Sequence, residues 1–332
     1  MKIIGYYFNM AADGNDVFVY MGGDQVVPDD VIHAVIDPSL KIVPGRAFWG
    51  RRRLVSVIFH DDVEIIEQEA FFRCVSLRGV NMLGVREIGD RAFGACHALS
   101  GVEFGSNLES VGGEAFYNCT SLRSIKMPSV RTIQQWAFGH CYQLIDAEFG
   151  VDLERIGPYS FYKSTRLRRI AIPLKDNLFP FDIVEQQYNQ FEDCENLTAV
   201  DIVGAEEINN TISSLLLESW RDGMNQEIDR INQELPDTHV NETTNAIRLR
   251  IRSVLGKMEH YKAEHNRLLK EHMTQLELAV WKAKLDEKES SSTLKVQTKR
   301  AKLDVESMRK EKRITSGADI IIKNVLPFLK LG

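Results

Sequence analysis

A pair of residues, alanine followed by phenylalanine, recurs along the first half of the chain at a nearly constant interval. The pairs are Ala47-Phe48, Ala70-Phe71, Ala92-Phe93, Ala115-Phe116 and Ala137-Phe138, and Ser160-Phe161 continues the series. The steps between them are 23, 22, 23, 22 and 23 residues. A fixed period in the range of about 20 to 50 residues is typical of a solenoid, in which each repeat is one structural unit stacked on the next.

Two further positions keep the same register. Four residues after the alanine position stands a cysteine, and three residues later stands a leucine. The cysteines are Cys74, Cys96, Cys119, Cys141 and Cys194, and the leucines are Leu54, Leu77, Leu99, Leu122, Leu144, Leu167 and Leu197. Arg51 and Ser164 occupy the cysteine position in the first and sixth units. The seventh unit is longer by about eight residues and returns to register at Phe191.

Each leucine opens a short apolar pattern. Leu99, Val102 and Phe104 form L-x-x-V-x-F, and the other units repeat it. Such alternation predicts a strand with one buried side. A second apolar pair at a spacing of three, such as Leu108 and Val111, follows the strand. One coil of this kind cannot bury its apolar side alone, so stacked copies are expected to share one continuous core with phenylalanine at its centre.

The unit resembles the BspA-type leucine-rich repeat, whose consensus runs roughly L-x-x-I-x-[apolar]-P-x-x-[apolar]-x-x-I-G-x-x-A-F-x-x-C. Residues Leu122 to Cys141 read L-R-S-I-K-M-P-S-V-R-T-I-Q-Q-W-A-F-G-H-C. The resemblance implies an α+β chain in which a right-handed leucine-rich-repeat solenoid of parallel short strands, with repeats of 22–23 residues, precedes an all-α helical tail. It also implies an interaction or adhesion role. The lead-in and the tail are similar to those of large algal families that carry this repeat.

Three segments follow from this reading. We predict an N-terminal strand or cap segment over residues 1–26, the repeat domain over 27–204 and a helical region over 205–332. Within the helical region we expect runs at Glu206–Trp220 and Asp222–Leu235, a long helix over about 243–286, a break at Glu289–Thr293, and a charged helix at Leu294–Arg313. The apolar end, Ile314–Gly332, is expected to dock back as a short helix.

The long helix carries an apolar line at alternating spacings of four and three. It consists of Ile247, Ile251, Val254, Met258, Tyr261, His265, Leu268 and His272, and a second line of Leu269, Met273, Leu276 and Val280 continues it. This spacing is found both in intramolecular helical bundles and in intermolecular coiled coils. The tail is therefore predicted either to cap the last repeat or to mediate self-association.

The cysteines are predicted to be buried free thiols that act as small apolar side chains. Neighbouring coils lie about 4.8 Å apart with parallel side chains, whereas a disulfide needs converging Cβ atoms at about 3.8 Å. The spacing contains no C-x-x-C pair, which disfavours zinc.

Charge and hydropathy limit the remaining possibilities. Residues 1–204 hold 19 Lys and Arg against 27 Asp and Glu, and the whole chain has a formal charge of −6, so nucleic-acid binding is not expected. The N-terminus has neither a long apolar core nor a small-residue cleavage site, and we expect neither a signal peptide nor a membrane span. The simplest compartment is the cytosol or the nucleus, which argues against an adhesion role.

No phosphate-binding, dinucleotide-binding, zinc-protease or serine-hydrolase motif occurs. We therefore predict no enzyme activity and assign no catalytic, cofactor-binding or metal-ligating residues. His260 and Glu264 are four apart on the long helix, and with His265 they are the candidates for an alternative metal-binding or enzymatic role of the tail. An ion pair on the helix surface is the expected interpretation. His97 and His140, beside the cysteines, are expected to face solvent.

Three surfaces are candidates for binding a protein partner. The first is the outward strand face, with Glu103, Lys126, Glu148, Arg169 and Asp201. The second is an aromatic ridge just after Ala-Phe, with Trp49, Phe72, Tyr117 and Tyr162, whose rings mark an interface if exposed or else fill gaps between turns. The third is a basic corner of Arg51, Arg52, Arg53, Arg78, Arg123, Arg166, Arg168 and Arg169. We thus expect a scaffold that binds a protein through its repeats; a surface adhesion module is the alternative.

Overall fold

The computed structural model describes residues 17–179, 189–204, 210, 212–235 and 242–294. These residues fall into two compact units, bounded by residues 1–209 with 222–256 and by residues 210–221 with 257–332. The expected docking of Ile314–Gly332 and the expected helix at Leu294–Arg313 lie outside the described residues, except that Leu294 ends a helix.

Two columns of parallel strands build the first unit. The wider column is β1 (Val17–Tyr20), β2 (His33–Ile36), β4 (Ser56–Ile58), β6 (Gly79–Met82), β8 (Gly101–Phe104), β10 (Ser124–Met127), β12 (Asp146–Phe149), β14 (Arg169–Pro173) and β15 (Ala199–Val203). The second column is β3 (Ile42–Val43), β5 (Ile65–Ile66), β7 (Glu87–Ile88), β9 (Ser110–Val111), β11 (Thr132–Ile133) and β13 (Arg155–Ile156). The hydrogen-bonded order is β1-β2-β4-β6-β8 and β10-β12-β14-β15 in the wider column and β3 to β13 in the second. The predicted solenoid of parallel strands is confirmed.

The core is a stack of phenylalanine rings, one from each turn. We number turns one to seven by these residues: Phe48, Phe71, Phe93, Phe116, Phe138, Phe161 and Phe191. All seven are fully buried. Successive centroids lie 4.9 to 5.6 Å apart with interplanar angles of 3° to 17°. The leucine and cysteine rows are buried beside the stack, as the repeat predicts. The long seventh unit regains register, because β15 pairs with β14 residue for residue.

The predicted buried thiols are confirmed, since all five cysteines are free and buried. Each thiol also has a hydrogen-bond partner that the sequence did not reveal. Cys74 Sγ donates to the Phe48 carbonyl of the preceding turn at 3.1 Å, and the other cysteines repeat this contact. Ser164 keeps the same bond through its hydroxyl. Burial raises the pKa of the Cys74 and Cys141 thiols to about 12, so they remain protonated and unreactive.

Two helices follow the strands, α1 (Glu218–Glu234) and α2 (Thr243–Leu294). In the first unit, Ile231 of α1 and Ile247 and Ile251 of α2 join the solenoid core. The Val200 amide donates to Asn232 Oδ1 at 2.7 Å, and the Phe191 amide donates to Thr244 Oγ1 at 3.3 Å. The open edge of the last turn is therefore covered within this unit by apolar and polar contacts from both helices.

Two details of the predicted tail are wrong. The run expected at Glu206–Trp220 is interrupted, because residues 214–217 are not helical and α1 begins at Glu218; residues 206–209 and 211 lie outside the described residues. The break expected at Glu289–Thr293 is absent, because α2 continues to Leu294. Serine and threonine are only modestly poorer helix formers than alanine, and no proline interrupts them.

Candidate functional site

The outward strand face is a network of charges that pair with one another. Arg169 Nη1 lies 2.9 Å from both Asp146 Oδ1 and Glu148 Oε1, and its Nε lies 2.6 Å from Asp201 Oδ2. Lys126 Nζ lies 3.1 Å from Glu148 Oε2. Hydrogen bonds from Lys126 and Arg169 lower the pKa of the Glu148 carboxyl. Since these charges already satisfy each other, a partner would have to break existing pairs to use them.

Glu103, the remaining strand-face candidate, is exposed on β8. Its carboxylate accepts a hydrogen bond from Asn81 Nδ2 on the neighbouring turn at 3.0 Å. The five strand-face candidates therefore form local networks along the solenoid, with Lys126, Glu148, Arg169 and Asp201 in one and Glu103 in the other.

The aromatic ridge shows both of the behaviours that the sequence left open. Phe72 and Tyr117 fill gaps between turns, since a Cβ on Gly94 would lie 2.9 Å from the Phe72 ring and one on Gly139 would lie 3.1 Å from the Tyr117 ring. Trp49 is 43% exposed. The rings of Phe72 and Tyr117 therefore pack on glycines of the following turns, whereas Trp49 is partly exposed at the surface.

Towards the C-terminal end of the ridge, further rings join Tyr117 and Tyr162. The aromatic cluster comprises Tyr117, Trp136, His140, Tyr142, Tyr159 and Tyr162, from turns four to six. Trp136 stacks on Tyr159 at 4.8 Å and meets Tyr162 edge to face at 5.0 Å. His140 lies 5.1 Å from Tyr117 and 5.2 Å from Tyr162. Lys163 Nζ lies 5.1 Å from the centroid of the Tyr162 ring.

The backbone of the repeat sets the direction of several of these rings. In turns one to six the residue before the Ala or Ser of the repeat has a left-handed backbone; these residues are Arg46, Glu69, Arg91, Glu114, Trp136 and Tyr159, with φ between 54° and 62°. In the first four turns this position holds charged side chains that pair across turns, such as Arg91 with Glu114 at 2.8 Å. In turns five and six it holds aromatic rings. The repeat thus sets the direction of the side chain at this position, and only turns five and six carry aromatic rings there.

His140 is half-buried among these rings, which corrects the expectation that it faces solvent; His97 is also half-buried. His140 Nδ1 is hydrogen-bonded to the Tyr142 hydroxyl at 2.7 Å. Burial, with a smaller contribution from Lys163, lowers the pKa of the His140 imidazole. The neutral ring is therefore favoured in the folded chain at neutral pH.

Charges elsewhere on the solenoid alternate in sign from turn to turn. Lys41, Glu64, Arg86, Glu109, Arg131 and Glu154 occupy one repeat position and form the paired ladder. Lys41 Nζ lies 2.8 Å from Glu64 Oε1, and Arg86 Nη2 lies 2.8 Å from Glu109 Oε1. Parallel stacking places identical repeat positions side by side, where like charges would repel. Because the sign of the charge alternates from turn to turn, neighbouring turns form ion pairs instead.

The basic corner divides into paired and unpaired arginines. Arg169 belongs to the strand-face network, Arg51 pairs with Asp29 at 3.0 Å, and Arg166 is hydrogen-bonded to Gln143. The others are exposed, namely Arg52, Arg53, Arg78, Arg123 and Arg168. Within the part of the chain that the structure describes, none of those five forms an ion pair.

The tail histidines do not assemble a metal site among the described residues, where no three His, Cys, Asp or Glu side chains are grouped to hold an ion. Glu264 pairs with Arg267 at 2.9 Å rather than with His260. His265 Nδ1 accepts a hydrogen bond from the Leu216 amide at 3.0 Å. None of the described helices is both long enough and apolar enough to span a bilayer.

The stacked parallel strands, the phenylalanine core and the helical C-terminal region define a leucine-rich-repeat solenoid. The family model described as BspA type leucine-rich repeat region, with six copies, matches residues 31–143 and 86–214. These ranges together cover more than half of the chain, and the chain belongs to this family. Solenoids of this kind are generally interaction or recognition modules and are typically not enzymes.

Similar solved structures include three bacterial leucine-rich repeat proteins. A leucine-rich repeat protein from Bacteroides ovatus is 21% identical, with 52% of this chain and 61% of that one covered and a TM-score of 0.34. One from Eubacterium ventriosum is 21% identical, with 40% and 37% covered and a TM-score of 0.38. A leucine-rich repeat protein from T. pallidum is 20% identical, with 55% and 82% covered and a TM-score of 0.35. The chain thus spans less than two thirds of the length of the first two proteins. A separate search of curated proteins found no match.

Proposed function

We propose that this chain is a scaffold protein that binds a protein partner through the aromatic cluster on its solenoid. The observation that carries the proposal is the replacement of paired charges by Trp136 and Tyr159 at a repeat position, next to Tyr117 and Tyr162. The phenylalanine stack already supplies the core, so the fold does not require a second aromatic layer. Tyrosine and tryptophan are enriched at the energetic centres of protein interfaces.

The surroundings of the cluster support the same function. Glu114 and Lys163 border it, and Tyr142 is 37% exposed at its edge. A partly buried aromatic centre within a charged rim is the usual composition of a protein interface. The strand face supports binding less well, because its charges are already paired. Trp49 and Phe72 belong to the same ridge but lie outside the cluster.

The test compares two double variants as baits for proteins from an extract of the source cells. Trp136→Ala with Tyr162→Ala is expected to lose the partners that the unaltered chain captures, because each central ring contributes about 2 kcal/mol or more. Trp49→Ala with Phe72→Ala removes two rings from the other end of the ridge and is expected to retain them. Circular dichroism and urea midpoints verify folding of both. Equal capture by the two variants would contradict the proposal.

The exposed apolar residues of α2 favour a second role, self-association of the tail. Leu276, Val280 and Trp281 are 49%, 43% and 64% exposed, and Leu276 and Val280 continue the line from Leu269 at heptad spacing. We expect the full chain to dimerise and Leu276→Glu with Val280→Glu to weaken the dimer at least about 100-fold, since two apolar contacts are lost. Sedimentation measures the change, and Lys282→Glu with Lys284→Glu is the control. A monomeric unaltered chain at high concentration would exclude this role.

We propose that the protein is a cytosolic scaffold. The alternative is an exported module that mediates adhesion at the cell surface. Free, buried cysteines throughout the solenoid suit a reducing compartment. A fluorescent fusion of the chain in the source cells decides between the two, since export would favour adhesion.

A further inference from the structure

One repeat position carries arginine in every second turn. The arginine row consists of Arg78, Arg123 and Arg168, each directly after the repeat leucine in turns two, four and six. Ser100 and Ile145 occupy the position in the turns between them. All three arginines are exposed, and among the described residues no acidic side chain pairs with them.

The arginine row differs in this respect from the paired ladder. On the paired ladder the same fold alternates Arg with Glu, so stacked positions neutralise each other. Around the arginine row, the residues from two before to one after each repeat leucine include no acid in turns one to six. A positive stripe therefore persists on a chain whose formal charge is −6.

Hydrogen bonds between turns define the spacing between Arg123 and Arg168. The Arg168 amide donates to the Ile145 carbonyl at 2.9 Å, and the Ile145 amide donates to the Arg123 carbonyl at 2.8 Å. Adjacent parallel strands lie about 4.8 Å apart, so the arginines recur at roughly 9.6 Å along the solenoid. A polyproline II segment advances about 9.3 Å in three residues and returns each third side chain to the same face.

The surface between the first two arginines suits such a segment. A shallow groove there is lined by Arg78, Ser100, Ser121, Arg123 and Tyr142. Proline-rich segments dock against aromatic side chains in surface grooves, and Tyr142 supplies one such ring here. Tyr142 also belongs to the aromatic cluster, so the groove continues onto the surface proposed above.

We infer that the arginine row binds an acidic protein segment in polyproline II conformation, with a carboxylate at every third residue. This inference rests on the proposed protein-binding function and specifies the chemistry of the partner. Each arginine forms an ion pair with one carboxylate, and the backbone of the segment lies over Ser100 and Ser121 against Tyr142. Charge complementarity and the matching repeat select this ligand.

The experiment measures fluorescence anisotropy of a labelled (Glu-Pro-Pro)5 peptide with the full chain at low salt. A peptide of the same composition, with its five glutamates in one block, tests the spacing. We expect the periodic peptide to bind about tenfold more tightly than the blocked one, and added salt to weaken it. The triple variant Arg78→Gln, Arg123→Gln and Arg168→Gln is expected to bind at least about tenfold more weakly, because it loses the contributions of three exposed ion pairs.

The matched control replaces Arg86, Arg91 and Arg131 with glutamine, which removes the same net charge from paired positions. This control is expected to bind within about twofold of the unaltered chain. Equal loss in both triple variants, equal binding of the two peptides, or tighter binding of a 15-nucleotide thymidine strand would each overturn the inference. If partner capture still depends on Trp136 and Tyr162 while the peptide does not bind, only this inference fails and the proposed function stands.

Discussion

Replacing Phe116 with alanine is expected to lower the free energy of unfolding by about 3–5 kcal/mol, as for other large-to-small changes at buried aromatic sites. Its ring lies 5.3 Å from both Phe93 and Phe138 and 5.8 Å from Phe104. The two neighbouring turns are held in hydrogen-bonded register, so they cannot collapse into the space left behind. Equilibrium urea denaturation followed by circular dichroism measures the change.

Trp49→Ala is the control for Phe116→Ala, because it removes a larger ring from the same solenoid at a position that is 43% exposed. It is expected to cost less than about 1 kcal/mol, as for most surface substitutions. A loss at Phe116 no greater than that at Trp49 would show that the stack does not carry the stability assigned to it.

The buried half of the solenoid could be predicted from the sequence because every turn buries the same repeat positions in the same surroundings. Leu99, Cys119 and Phe138 occupy different repeat positions, and each is fully buried where its position predicts. Parallel stacking in register makes the burial of a position in one turn a reliable guide to the other turns, since the neighbours of each turn are copies of it. Even the lengthened seventh unit obeys it, because Phe191 stacks on Phe161 at 5.5 Å.

The surface could be predicted only in part, because the residue types of the repeat do not reveal which of its positions have a left-handed backbone. Tyr117 and Tyr162 were candidates from their position after Ala-Phe. Trp136 and Tyr159 were missed, since the left-handed backbone that brings them beside the ridge has no signal in the residue types that occupy it. A usable signal was the change at this position from charged residues to aromatics in the fifth turn.

The strand-face candidates were identified as outward-facing, and they are. The sequence did not reveal that Arg169 contacts carboxylates from both neighbouring strands, because that depends on side-chain reach across turns. Comparison of charge signs between successive repeats carries this information. It separates the paired ladder, where signs alternate, from the arginine row, where they do not. Differences between turns at one repeat position are therefore the basis of both binding surfaces that we propose.

Gly105→Ala is expected to lower the free energy of unfolding by about 3 kcal/mol or more, at or beyond the upper end for overpacked sites. A Cβ at Gly105 would lie 1.8 Å from the Leu83 carbonyl oxygen and 2.5 Å from its carbonyl carbon. Both atoms belong to the backbone of the preceding turn, so no side-chain rotation relieves the overlap. The turns must separate, and the ring stack and thiol hydrogen bonds that depend on their spacing weaken with them.

Gly101→Ala, four residues earlier in the same turn, makes the chemically identical change. There, no atom beyond Gly101 and its two chain neighbours lies within 4 Å of the added Cβ. It is expected to leave stability unchanged or to raise it by up to about 1 kcal/mol, because alanine loses less backbone entropy than glycine on folding. Urea midpoints of the two variants provide the measurement. Gly101 is the first residue of β8 and Gly105 directly follows that strand. Their opposite outcomes follow only from the distance to the neighbouring turn. Similar stability losses at the two positions would mean that the turns are not stacked as closely as described.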